Sequence, residues 1–155
     1  MSLNFEVVIQ SSDTSTQEWQ RAQHAPLSEL RIEELTAGER SVAERHGLPI
    51  ERVARTSLAV RYGRERHKSE GQALGQHIVE FLRELGPTFS LKSVIGDAHR
   101  DRWMLRVETP KGLVGIPVPF DLADDVVGSN VLAAVENLRR LVFEGVGQGG
   151  RSTER

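Results

Sequence analysis

The chain has 155 residues, enough for one domain with a sizeable hydrophobic core. Hydrophobic residues make up 38% and charged residues 27%, which excludes a disordered chain. No apolar run approaches the ~18 residues of a membrane span, and the Met-Ser-Leu-Asn-Phe-Glu start is not a signal peptide. Cysteine is absent, which excludes disulfides, thiolate metal sites and a cysteine nucleophile. The expectation is a cytoplasmic protein with no membrane partner.

The net charge of −2 hides an uneven distribution. Residues 1–51 hold nine acidic and four basic residues. Residues 52–68 hold six basic and one acidic, and residues 69–155 hold twelve acidic and ten basic. The basic segment consists of Arg52, Arg55, Arg61, Arg64, Arg66 and Lys68. A local patch steers a partner more effectively than net charge does. The planar fork of arginine suits phosphate or carboxylate.

In chain order, Phe5, Val7 and Ile9 alternate and predict a short strand over residues 4–9. Ser15 and Glu18 have capping-box spacing and predict a helix that carries Trp19 and stops before Pro26. Residues 27–35 fit a strand or a helical turn equally well. Thr36 and Glu39 form a second capping-box pair, opening a helix to about His46 with Gly47 as its left-handed stop. Pro49 suits the first turn of the next helix. That helix buries Ile50, Val53, Ala54 and Ser57 and turns Arg52 and Arg55 the other way. Gly63 is expected to bend it, and Gly71 and Gly75 make 69–76 a weak point. A separate helix at about 73–85 puts Leu74, Ile78, Phe81, Leu82 and Leu85 on one face and ends at Gly86-Pro87.

The period then changes from 3.6 to 2. Phe89, Leu91 and Ile95 alternate, as do Trp103, Leu105 and Val107, and then Val114, Ile116, Val118 and Phe120. Thr109-Pro110-Lys111-Gly112 reads as a turn. Pro117 and Pro119 cannot donate to a ladder, which makes the third strand an edge. Asn130 caps a closing helix at 131–144, and the glycine-rich tail 145–155 is expected to be disordered.

The expected fold is therefore a single α+β domain over 1–144. It has an N-terminal strand and a helical part at about 12–85, with a helix-turn-helix-like corner at 37–58. A sheet part at about 88–120 follows, a three-stranded antiparallel meander to which the first strand can add, and then the closing helix.

Residues 39–55 carry the most specific local pattern. Ala43, Gly47 and Val53 have the small–glycine–branched spacing of a helix-turn-helix, and the segment resembles that motif. The resemblance implies that Arg52 or Arg55 contacts phosphate or guanine. Glu51 would repel phosphate, and Thr56 stands where a buried aliphatic is usual. Tyr62 offers a ring for stacking.

No catalytic or metal site is assigned. The five histidines form no H-x3-H or H-E-x-x-H pattern. Asp97, Asp101, Glu108 and Lys111 resemble the acid–lysine layout of metal-dependent nucleases, but the spacing is E-x-x-K and the lysine belongs to a turn. A pocket gathering Asp97, His99 and Glu108 would favour an enzyme. Gly145–Gly150 resembles a dinucleotide loop but follows a helix, so no cofactor is expected.

The leading expectation is a binding protein. It is nucleic-acid-associated through Arg52, Arg55, Arg61, Arg64, Arg66 and Lys68. The alternative is a protein-interaction module: an adaptor, a chaperone-like protein, a homo-oligomer or a subunit of a larger complex.

Overall fold

Strand alternation and helix capping, both local, account for most of the architecture. The computed structural model describes residues 4–129 and 131–152, with side chains as far as Gly147. It is an α+β protein with a four-stranded sheet and six α-helices among the described residues. These divide into two compact units: Asp13–Arg66, and a second comprising residues to Ser12 together with those from His67 onward.

The chain order begins with β1 (Glu6–Ser11), α1 (Thr16–His24), α2 (Leu27–Leu30) and a 3-10 turn at Ile32–Glu34. Next come α3 (Ala37–His46), α4 (Ile50–Leu85), β2 (Ser90–Asp97), β3 (Arg102–Thr109) and β4 (Gly112–Pro119). The chain closes with α5 (Phe120–Val127) and α6 (Leu132–Ser152).

The sheet order is β1-β2-β3-β4. The expected meander is present as β2, β3 and β4, but the sheet is larger and mixed, because β1 pairs parallel with β2. Parallel neighbours need a long crossover. Here the whole segment from α1 to α4 supplies it.

One face of the sheet is dry. Leu91, Val94, Trp103, Leu105, Val107, Ile116 and Val118 meet Leu74, Ile78 and Leu82 of α4, Ala123 and Val126 of α5, and Leu138 and Val142 of α6. Ile95 was expected on this face. A register shift between Leu91 and Ser93 inverts the alternation, so Val94 points inward and Ile95 outward.

The proline reading of β4 holds. Pro117 and Pro119 lie opposite Met104 and Arg102 and complete the edge strand. Lacking N–H groups, they leave that edge short of donors for a further strand. The Thr109–Gly112 turn also forms: the Thr109 hydroxyl accepts from the Lys111 N–H at 3.1 Å and donates to the Gly112 carbonyl at 2.9 Å.

Three helical expectations need correction. First, α4 is a single 36-residue helix, with no interruption at Gly63 and no break at 69–76. Its glycines are sites of close approach. A Cβ on Gly63 would lie 2.5 Å from the Asp13 carbonyl oxygen, one on Gly71 2.8 Å from Val7, and one on Gly75 2.3 Å from the Phe5 ring. Second, α5 went unforeseen. Asp121 lies in its first turn, where the helix dipole favours an acid, and Ala123 and Val126 are buried. Third, the tail from 145 continues α6 to Ser152 instead of being disordered, and Gly145 sits against Ile116. Asn130 and residues 153–155 lie outside the described residues.

Trp103, only 1% exposed, sits where Gly71 and Gly96 leave room: a Cβ on either glycine would come within 2.9 or 2.7 Å of the indole. Gly71→Ala is therefore expected to destabilise the protein, although alanine favours an exposed helix by about 1 kcal/mol. Trp103→Ala is expected to cost about 3–5 kcal/mol. Urea unfolding measures both, and a stabilised Gly71→Ala variant would contradict this packing.

Candidate functional site

The unit Asp13–Arg66 is assembled by local signals. The Ser15–Glu18 capping box opens α1, with the Ser15 N–H donating to Glu18 Oε1 at 2.8 Å and the Glu18 N–H to Ser15 Oγ at 3.2 Å. The Thr36–Glu39 box opens α3 in the same way, at 2.9 and 3.1 Å. Gly47 ends α3 in the left-handed conformation, φ 63°, and the Leu48 N–H returns to the Ala43 carbonyl at 2.9 Å. The Pro49 carbonyl accepts from the Arg52 N–H at 3.0 Å, and α4 begins. Small residues let its inner face approach closely: Ala54, Leu58, Ala59 and Tyr62 bury against Ala22, Ala25 and Leu30.

The six cations of the basic segment divide by helix face. Arg55 points inward, its side chain 16% exposed. It donates to the carbonyls of Ala22 and Ala25, both at 2.9 Å, and pairs with Glu51 at 2.7 Å. It thus adds a donor to the carbonyls at the end of α1, of which Ala22 also accepts from the Ala25 N–H at 3.4 Å. Arg66 pairs with Glu18 at 2.8 Å and Asp13 at 3.2 Å. Arg61 is half-buried. The Glu39 carboxyl sits below its ordinary range, held there by the Thr36 N–H, the Ser57 hydroxyl and, less strongly, the Arg61 charge. Arg52, Arg64 and Lys68 are exposed. Among the described residues, Arg52 and Arg64 enter no ion pair.

Two concavities meet this surface. One, of about 570 Å³, is lined by Trp19, Gln23, Pro49, Glu51, Arg52, Arg55 and Thr56. The other, of about 310 Å³, is lined by Val42, Leu48, Arg52, Val53 and Thr56. Arg52 and Thr56 belong to both.

Tyr62 is not available as a stacking ring. It is 6% exposed, its hydroxyl donates to Glu29, and the Arg21 guanidinium covers its ring at 3.8 Å. The exposed aromatic is Trp19, 38% accessible, which sequence reasoning used only to mark a helix. A signal was present: α1 (Thr-Gln-Glu-Trp-Gln-Arg-Ala-Gln-His) offers only Ala22 as apolar company. A tryptophan in such a helix has little core of its own to join.

The residues that would have favoured an enzyme do not gather. Asp97 accepts from the Ser11 hydroxyl at 2.9 Å and from the His99 N–H at 3.1 Å, which orders a turn. Glu108 pairs with Lys92 at 2.9 Å near the opposite end of β3, six residues or roughly 20 Å from Arg102. Among the described residues, no three His, Asp or Glu side chains are placed to hold a metal ion, and no helix is long and apolar enough to cross a membrane. Comparison with family models, curated protein sequences and solved structures finds no match to this chain.

Two stability experiments test this division of labour. Arg55→Met removes a donor from both carbonyls, leaving Ala22 only the Ala25 N–H at 3.4 Å, and is expected to cost about 1–3 kcal/mol in urea unfolding. Arg52→Ala and Arg64→Ala are expected to stay within about 0.5 kcal/mol of the parent.

The second experiment uses pH. Burial pushes the Glu18 carboxyl up, but the Arg66 guanidinium and the Ser15 N–H and hydroxyl outweigh it, so it sits below its ordinary 4.5. A depressed carboxylate adds stability above its unfolded pKa and loses it as pH falls through the folded one. The urea midpoint is expected to hold down to about pH 5 and fall below about pH 4.5. Glu18→Gln is expected to shallow that acid limb, and an unchanged limb would show that the pairing contributes nothing.

Proposed function

We propose that this protein binds nucleic acid through the exposed face of α4 beside the α3–Gly47–α4 corner. The observation that carries this reading is one row of residues. Arg52, Thr56, Val60 and Arg64 succeed one another at intervals of four, a ridge that winds about 40° per step and about 120° in all, and all are exposed. Over these positions the row is about 18 Å long. Inward-facing cations are taken up by carbonyls and carboxylates, while Arg52 and Arg64 remain to meet phosphate.

The objection raised by Glu51 weakens. Its carboxylate is held by Arg55 at 2.7 Å, so the pair presents little net charge to a phosphate. The glycine turn between α3 and α4 leaves Arg52 in the first turn of α4, where its side chain is exposed.

A protein partner, or a second copy of this chain, is the second reading. The concavity of Val42, Leu48 and Val53 favours it, with Val42 41% exposed. Such an interface would form with little dependence on salt.

Fluorescence anisotropy of labelled 20-mers at several salt concentrations separates the two. Affinity is expected to fall as salt rises, because phosphate contacts release counterions. Replacing Arg52 and Arg64 with Ala is expected to reduce the slope of log K against log salt by about 1.4–1.8, two contacts' worth. Binding insensitive to salt and to both substitutions would overturn the proposal.

A further inference from the structure

We infer that the nucleic acid taken at this site is single-stranded, with one base stacked on Trp19 and its phosphate on Arg52. The inference rests on the nucleic-acid reading above and specifies its substrate.

Three observations carry it. First, Trp19 is the one aromatic among the exposed large hydrophobic residues described. Trp103 is sealed in the core, and Tyr62 lies under Arg21. A partly exposed indole, 38% accessible, in the same concavity as a guanidinium outside any ion pair among the described residues has the two chemistries of a nucleotide opposite it. Base faces stack on aromatic rings, and phosphates pair with arginine.

Second, Trp19 and Arg52 line the same concavity, so one nucleotide can reach both. The charges there are complementary to an anion. Glu51 and Arg55 neutralise each other at 2.7 Å, which leaves Arg52 as the net charge. The exposed ridge from Arg52 to Arg64 then winds about 120° around α4, a path that a flexible single strand can follow.

Third, the polar groups of the concavity do not select one base. Gln23 offers an amide donor and acceptor, and the Thr56 hydroxyl, which donates to the Arg52 carbonyl at 3.1 Å, keeps lone pairs to accept with. Such a site tolerates any sequence. A duplex cannot use it this way, since paired bases hide their faces in the stack and show only their edges. Only an unpaired strand can offer a face to Trp19.

The test titrates the intact protein with dT20 and with a 20-base-pair duplex. It reads anisotropy for binding and intrinsic tryptophan emission for stacking. Trp103 is 1% exposed, so a change in emission on binding reports Trp19. Single strands are expected to bind more tightly than the duplex and to quench Trp19. Trp19→Ala is expected to weaken single-strand binding roughly five- to a hundred-fold while leaving duplex binding unchanged. Trp19→Phe should retain most of the affinity but lose the quenching. Trp19 is 38% exposed, so urea unfolding checks that each variant keeps the parent fold, and quenching of the parent protein tests the stacking without any variant.

Salt-dependent binding with no quenching and no effect of Trp19→Ala would overturn this inference and leave the nucleic-acid reading standing. So would a preference for the duplex. Binding of neither, with light scattering showing self-association, would overturn both.

Discussion

Trp103 has no freedom, and the sheet unit follows from that. Its indole lies across Gly96, its neighbour on β2, and reaches Gly71 on α4. His67 and Phe120 bound it further, with ring centroids 6.2 and 5.7 Å from its own. A large rigid ring between two positions without side chains fixes the distance from helix to sheet. Densely packed interiors transmit such a constraint to their neighbours. Because α4 comes this close, β1 can dock beside it, with Phe5 against Gly75 and Val7 against Gly71. The parallel β1–β2 pair and the covered sheet face both depend on that approach.

The same helix shows how one residue type serves two purposes. Arg55 and Arg66 differ from Arg52 and Arg64 only in the direction α4 turns them. An inward arginine meets the carbonyls at the end of α1 or the Glu18 carboxylate. Buried carbonyls and carboxylates are costly to leave unpaired, so these contacts hold the Asp13–Arg66 unit together. An outward arginine meets only water, and what it contributes depends on whatever arrives there. Helical periodicity thus separates structure from surface within a segment that looks uniformly basic.

What was legible in the sequence was local. Both capping boxes, the Gly47 stop, the Thr109–Gly112 turn and the edge prolines each need only four or five consecutive residues, and each forms as read. The misreadings share a different cause. Gly63, Gly71 and Gly75 read as weak points in a helix because the groups packed against them come from distant parts of the chain. The β1–β2 pairing spans more than eighty residues. One bulge after Leu91 exchanged Ile95 for Val94. The site divides in the same way. The corner and its arginines were visible from spacing. Tyr62 and Trp19 exchanged roles because burial of a lone ring depends on which helix packs over it, and α1 and α2 pack over Tyr62.

Charge shows the consequence most clearly. The whole-chain value of −2 argues against a polyanionic partner, and the excess within residues 52–68 argues for one. Neither number survives folding as a description of the surface. Arg55 is cancelled by Glu51, and Arg66 by Glu18 and Asp13. Arg52, Arg64 and Lys68 remain exposed, about 0°, 120° and 160° around α4, with the exposed Glu65 about 100° from Arg64 and 60° from Lys68. The surface that results is narrower than the segment: Arg52 and Arg64 stand about 120° apart around α4, joined by the exposed Thr56 and Val60, and Trp19 shares a concavity with Arg52. On the proposed nucleic-acid reading, a winding ridge with an indole near its Arg52 end suits a flexible polyanion that carries flat bases better than a diffuse basic patch would. Folding has therefore reduced the amount of positive charge on offer and increased the specificity of its arrangement.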